Sequence, residues 1–229
     1  MVVAAHPDDE VLGPGATLHR LVAGTGCTVR VLILGEGLTS RAGQRDRAAW
    51  RLELAQHQTH AEQARVLLGY QELRLYDFPD NRFDGVELLD MVKAIEGEKA
   101  DFRPDFVFTH HGGDVNVDHR CCYDAVMAAC RPLPGETVRG VFSFEIPSST
   151  EWQFANHPIP WRPNFFVGIG EADLEAKVAA MEAYVLERRP YPHPRSPEAL
   201  RALAQRYGVM TGQHLAEAFM LLRQIEPLT

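Results

Sequence analysis

Several things are scarce in this chain of 229 residues, and each scarcity excludes something. Lysine and arginine never gather into a block, and the formal net charge is −8. A nucleic-acid or anionic-membrane partner is therefore not expected. No apolar run approaches the roughly 18 residues of a membrane span, so membrane insertion is not expected either. No basic stretch with an apolar core behind it reads as a secretory signal. Cysteine is sparse: Cys27, Cys121, Cys122 and Cys130 have neither the density nor the spacing of a disulfide framework. Together these features make a reducing cytoplasm the expected location. No internal repeat and no low-complexity linker is visible, so residues 1–229 read as a single domain. With 45% hydrophobic and 24% charged residues it is large enough to bury a sizeable core.

What is present is an alternation of strand and helix signals. Val2–Ala5 is a short all-apolar run, as in a central parallel strand covered on both faces. A helix through Val11, Leu12, Leu18 and Val22 follows, broken at Gly24 and Gly26. Further strands are expected over 27–37, 72–78, 104–110 and 137–147. Helices are expected over 45–68, in "VELLDMVKAIEG" up to Gly97, over 118–130 and 172–187, and from "SPEAL" to about Tyr207. The segment "SSTEWQFANHPIPWRPN" has no periodicity, and "HLAEAFMLLRQI" reads as a final strand. Alternating strands and helices predict an α/β fold: a parallel sheet sandwiched between helices.

The chemistry-bearing residues gather at strand ends. The first strand runs into His6, Pro7, Asp8, Asp9 and Glu10; the fourth runs into "THHGGDVNVDHR", residues 109–120. In an open parallel sheet, ligands bind beyond the C-terminal strand ends where strand order reverses, and the first and fourth strands are neighbours there. Adjacent carboxylates repel each other, so a divalent cation is the expected counter-charge. His6 and Asp9 are three residues apart across a strand-to-helix turn and can reach one ion, and His119 can complete a two-histidine, one-carboxylate set. That set suits zinc with a position left open for water. Asp8 remains beside it as a candidate general base. His110 and Asp114, in the second cluster, are expected to face substrate. His110 and His111 should point to opposite sides of an extended chain, so at most one faces the metal. Cys121 and Cys122 read as small core residues.

The combination "AHPDDEVLGPGATLHRL" and "DVNVDHR", supported by "LYDFPDNRFD", "PHPRSPEAL" and "AEAF", resembles the LmbE-like, or PIG-L, family of zinc-dependent N-deacetylases over nearly the whole chain. The resemblance implies a Rossmann-like α/β fold without a dinucleotide. It implies hydrolysis of acetamido groups on N-acetylglucosamine-type sugars, with Zn2+ held by His6, Asp9 and His119 and with Asp8 as general base. It places Asp80 of "FPDN" and Arg41 of "LTSR" on the substrate. It also exposes a departure. Many members carry a second histidine three residues before the last ligand, where this chain has Asn116. An amide donates a neutral hydrogen bond but no proton. Either the metal alone polarises the acetyl oxygen, or His110, His111 or His193 supplies the missing donor, with His193 favoured for its proline-framed loop. The partner implied is a small N-acetyl amino sugar. A zinc amidase cutting a larger acyl or thiol conjugate is the alternative, and a non-catalytic binding module on the same fold is a third reading. Closed oligomers among relatives make a homo-oligomer an expectation.

Overall fold

Alternation along the first strand explains the layering. In β1 (Val2–Ala4) the even residues, Val2 and Ala4, face one side of the sheet, and Val3, with Ala5 beyond it, faces the other. β2 (Arg30–Gly35) repeats this pattern, with Val31 and Ile33 on the first side and Leu32 and Leu34 on the second. Both sides are therefore apolar and both are covered. On the first lie α1 (Asp9–Leu12), α2 (Gly15–Thr25), α3 (Arg51–Leu68), α6 (Glu171–Ala183) and α7 (Pro197–Thr211). On the second lie α4 (Leu88–Phe102) and α5 (Val117–Ala129), through Met91, Val92, Ile95, Cys122, Ala125 and Val126. The computed structural model describes residues 1–154 and 156–226.

The seven strands are ordered β3-β2-β1-β4-β5-β7-β6. β3 (Glu72–Phe78), β4 (Phe106–His110) and β5 (Gly140–Phe144) run parallel to β1 and β2. β7 (Ala216–Gln224) pairs antiparallel with β5 on one side and with β6 (Phe165–Gly168) on the other. The α/β sandwich is as expected, but the sheet is mixed rather than purely parallel. The chain leaves β1 in one direction for β2 and β3, then returns to place β4 on β1's other flank. That reversal opens a crevice beyond the C-terminal ends of β1 and β4. Among the described residues no helix is long and apolar enough to cross a membrane.

Several boundaries differ from the sequence reading, each for a local reason. The first helix is two, because Pro14 interrupts it and Gly13 packs where a side chain would collide with the Phe144 ring. Helix α3 begins at Arg51 rather than 45: Arg45 and Arg47 instead reach back to Glu36. Helix α4 runs through Gly97 to Phe102. Burial of Met91, Val92 and Ile95 outweighs the ~1 kcal/mol cost of one interior glycine, and the helix stops only before Pro104. Strand β6 begins directly after the stretch that shows no periodicity, where the sequence reading has no element; it is a four-residue sheet edge with incomplete burial.

Candidate active site

The crevice holds about 330 Å3, at the small end of ligand pockets. His6, Asp8 and Asp9 enter it from the β1–α1 turn, and Asn116 and His119 from the start of α5. Arg41, Asp80 and His193 complete the predicted residues along its wall. The turn is tight: Asp8 takes φ 110°, a left-handed conformation unfavourable for a residue with a side chain. Glu10 compensates by accepting the Asp8 N–H (3.1 Å) and the Tyr184 hydroxyl (2.6 Å) from within the core.

Asp9 is the centre of the cluster. Its Oδ2 lies 3.4 Å from His6 Nδ1 and 3.4 Å from His119 Nε2, and it accepts the His6 N–H at 2.8 Å. One ligand-type atom from each of these residues lies within 4.8 Å of the others, so the group could hold a metal ion. The far nitrogen of each ring meets a buried carboxylate: His6 Nε2 is 2.8 Å from Asp118 Oδ2, and His119 Nδ1 is 3.2 Å from Asp114 Oδ1. This carboxylate–histidine arrangement fixes the ring and turns the other nitrogen toward Asp9. Burial alone would lower the His119 pKa, but Asp9 and Asp114 hold it up at about 9. His6 is likewise raised well above its ordinary value against burial, through Asp118 and Asp9. Asp9, despite burial, is held well below the usual carboxylate range by His119 and His110. The carboxylates here draw positive charge onto the imidazoles, which is the charge a divalent cation would supply. A second trio, His6, Asp80 and Asp118, is also close enough to share an ion. Asp118, however, is already occupied by the Asn81 and Phe83 N–H groups at 2.6 and 2.9 Å.

Asp8 stands apart from this cluster. Its Oδ2 is 2.8 Å from Arg195 Nη1, and Arg195 also pairs with Glu187. Burial is the largest influence on Asp8 and raises its pKa well above normal; Arg195 opposes it, and Asp9 and Glu187 add to it. Asp80 lies 3.4 Å from His6 Nε2 and accepts the Ser40 N–H. Arg41 lines the crevice and pairs with Glu187.

Two expected substrate contacts are elsewhere. His110 is fully buried behind the crevice, stacked on His119 at 4.0 Å with Nε2 accepting the Ala5 N–H. Asp114 is 1% exposed and spends its oxygens on His119 and on the Ser149 and Thr150 hydroxyls. Both support His119 rather than face the open crevice. His111 does point the opposite way, to the Ile159 carbonyl and the Trp161 ring. Asn116 caps α5: its Oδ1 accepts the Asp118 N–H, and its Nδ2 donates to Asn81. His193 lines the crevice, and its Nδ1 accepts the Arg195 N–H at 3.2 Å.

Reading the sequence alone misses Asp118, Glu187 and Arg195. The signal for Asp118 was its position next to a ligand-type histidine; Arg195 was hidden in the "PHPRS" loop beside His193.

The family model for PIG-L, described as GlcNAc-PI de-N-acetylase, matches residues 1–130. The chain belongs to the PIG-L family. A relative from Escherichia coli K12, the uncharacterized deacetylase YaiS, is 29% identical over 189 residues, covering 80% of this chain and 89% of YaiS. Among solved structures, N,N'-diacetylchitobiose deacetylase from Pyrococcus horikoshii is 20% identical with a TM-score of 0.74, covering 100% of this chain and 86% of that one. A 4-carboxy-2-hydroxymuconate hydratase from Pseudomonas putida is 22% identical with a TM-score of 0.69, covering 100% and 98%. At these identities the solved structures establish the fold. The reaction of this PIG-L member has to be argued from its own residues, since a hydratase shares the fold.

Proposed function

We propose that this PIG-L protein is a zinc-dependent deacetylase that hydrolyses the N-acetyl group of an N-acetylated amino sugar. The observation that carries the reading is the cluster itself. His6, Asp9 and His119 converge, each imidazole is backed by a carboxylate, and a separate carboxylate, Asp8, lies in the same crevice wall. Two histidines and one carboxylate form the donor set of catalytic zinc sites, whereas magnesium prefers all-oxygen shells. A zinc ion there supplies a Lewis acid for the acetyl oxygen and brings water closer to deprotonation at neutral pH.

The chain's own residues do the rest. Asp8 takes the proton of the attacking water. Arg195 holds its Oδ2, which leaves Oδ1 for the proton, and burial raises its basicity. Bond cleavage then returns that proton from Asp8 to the leaving amine nitrogen. His193 takes the place of the histidine absent at Asn116, but as a neutral donor. With Nδ1 accepting from Arg195, its remaining proton sits on Nε2. Burial, then Arg195 and Arg189, push its pKa below normal, so it hydrogen-bonds the developing oxyanion without being an imidazolium. Asp80 and Arg41 bind sugar hydroxyls. Asn116 holds the start of α5, and with it His119, in place.

The test is acetate release from N-acetylglucosamine, N-acetylglucosaminyl inositol and N,N'-diacetylchitobiose. Chelated protein should be inactive, one equivalent of zinc should restore turnover, and His119→Ala should lose both metal and activity. Full turnover in chelator, or stoichiometric zinc in His119→Ala, overturns the reading.

A further inference from the structure

The arginine beside Asp8 has a second carboxylate in front of it. Arg195 Nη1 lies 2.8 Å from Asp8 Oδ2 and 2.8 Å from Glu187 Oε2. The two contacts are not alike. Toward Glu187 the N–H is aligned and donates. Toward Asp8 it is not: Oδ2 is buried and has no hydrogen-bond partner among the described residues. Arg195 thus lends Asp8 its charge while its N–H is spent on Glu187.

Both members of the Arg195–Glu187 pair are fixed from elsewhere. Arg195 Nε donates to Ser148 Oγ at 3.0 Å, which sets the plane of the guanidinium. Glu187 lies in the turn after α6, 8% exposed, with its own N–H on the Tyr184 carbonyl at 2.8 Å. Its Oε1 pairs with Arg41. His57, buried on α3, stands 3.8 Å from that oxygen, beyond hydrogen-bond reach. The row along the crevice wall therefore alternates in sign: Arg41, Glu187, Arg195, Asp8.

A buried ion network is weak evidence for stability, because desolvation offsets most of the attraction. What this one supplies is direction. A guanidinium facing a lone carboxylate tends to fork onto both of its oxygens. On Asp8 such a fork would occupy the oxygen that has to meet water. Glu187 draws the fork aside, and Asp8 keeps a neighbouring positive charge without a directed donor.

We propose that Glu187 is a positioning residue for the general base: it turns the Arg195 N–H groups away from Asp8 and so keeps that carboxylate open to the attacking water. This rests on the deacetylase reading above and extends it to a residue that acts only through Arg195.

The experiment compares wild type, Glu187→Gln and Glu187→Asp at full zinc content, by acetate release from N-acetylglucosamine. Glutamine keeps the shape and loses the charge that holds the guanidinium. Glu187→Gln should lower kcat about 10-fold or more, the scale for removing the outer partner of a working side chain, with KM within about twofold. Glu187→Asp keeps the charge and should recover part of the loss. If Glu187→Gln does not fold, Glu187→Asp against wild type is judged by the same criteria. In an Asp8→Asn background the Glu187 substitution should change the residual kcat by less than about twofold, because the two residues act on one step. Adding Arg195→Lys to Glu187→Gln should raise kcat above that of Glu187→Gln alone, since an ammonium cannot fork onto Asp8. A purely structural role would make that second substitution add to the damage. Crystal structures give a readout that needs no turnover: Arg195 should donate to Glu187 in wild type and span both Asp8 oxygens in Glu187→Gln. The proposal is overturned if Glu187→Gln keeps kcat within twofold, if its loss falls on KM alone, if the loss is the same with and without Asp8, or if Arg195 does not move in the crystal. If wild type releases no acetate from any sugar, the deacetylase reading falls and the crystal comparison decides the steering: a guanidinium forked onto Asp8 upholds it, and an unmoved one overturns both.

Discussion

Replacing Asp118 with asparagine tests whether the carboxylates behind the histidines matter as much as the ligands. Asp118 is fully buried and accepts from three directions: the His6 Nε2 proton at 2.8 Å and the Asn81 and Phe83 N–H groups at 2.6 and 2.9 Å. An asparagine has one accepting oxygen, and its amide protons would face donors. At least one of the three donors then loses its partner. A hydrogen bond to a buried charged group is worth about 1.5–3 kcal/mol, and a stranded donor adds ~1–3 kcal/mol. The metal-free variant should therefore be less stable by about 2–5 kcal/mol. At roughly 2–4 °C per kcal/mol for a chain of this size, its Tm should drop by about 5–15 °C. The second effect is on the metal. Without Asp118 the His6 ring is free to turn its Nδ1 away from Asp9, and loss of such an outer partner costs about 10–100-fold in affinity. Thermal melts in chelator read the first effect, and zinc competition against a chromophoric chelator at a temperature where both proteins are folded reads the second. An Asp118→Asn protein with wild-type zinc affinity would refute the orienting role even if its Tm falls.

Three further expectations follow from the same geometry. Asp8→Asn should keep zinc and lose about 10²–10⁴-fold in kcat, measured by acetate release at full metal loading; loss of zinc would instead make Asp8 a ligand. His193→Ala should cut kcat by about 10²–10³-fold without removing an alkaline ionisation from the pH–rate profile, because the ring acts as a neutral donor; a vanished alkaline limb would show that an imidazolium was at work. Glu145, whose carboxyl is raised by burial to about 7 against the opposing bond from Tyr207, makes stability fall with rising pH. Between about pH 4.5 and 7 the unfolded chain has released this proton and the native one has not, so the native state is progressively penalised. Glu145→Gln should reduce that fall by up to about 3 kcal/mol in denaturant titrations at pH 5 and pH 7; parallel pH dependence in the two proteins would contradict it.

The fold was legible where periodicity and punctuation agreed. Val2–Ala5 had to be a buried strand because it is apolar on both alternating faces, and placing the HPDD turn beside DVNVDHR needed only the rule that ligands gather where strand order reverses. The site was legible to the same depth: His6, Asp9 and His119 announce themselves by residue type. What supports them did not. Asp114 and Asp118 look like ordinary turn and cap residues, and only the approach of β5's following loop and of residues 81–83 shows what their oxygens hold. His110 looked like a substrate contact because it is polar; strand alternation sends it under His119 instead. His57 sits in "LAQHQTHAEQ", a helix too polar to advertise a buried face, and it packs against Tyr184, directly after α6 and more than a hundred residues later. Long-range partners of polar side chains leave no local trace.

The position of β7 also sets an order of events for the growing polypeptide. Among the described residues strand β6 pairs only with β7, and β7 occupies the flank of β5 that faces away from β4. While residues up to about 215 are emerging from a ribosome, β1 to β5 can assemble, but the outer edge of β5 stands open, with its Gly140–Phe144 backbone unpaired on that side. An open, apolar strand edge is a template for pairing with another nascent chain. The interval between synthesis of Phe144 and of Gln224, several seconds at about 5–20 residues per second, is therefore the period of greatest aggregation risk, and overproduction should demand chaperone assistance during that interval.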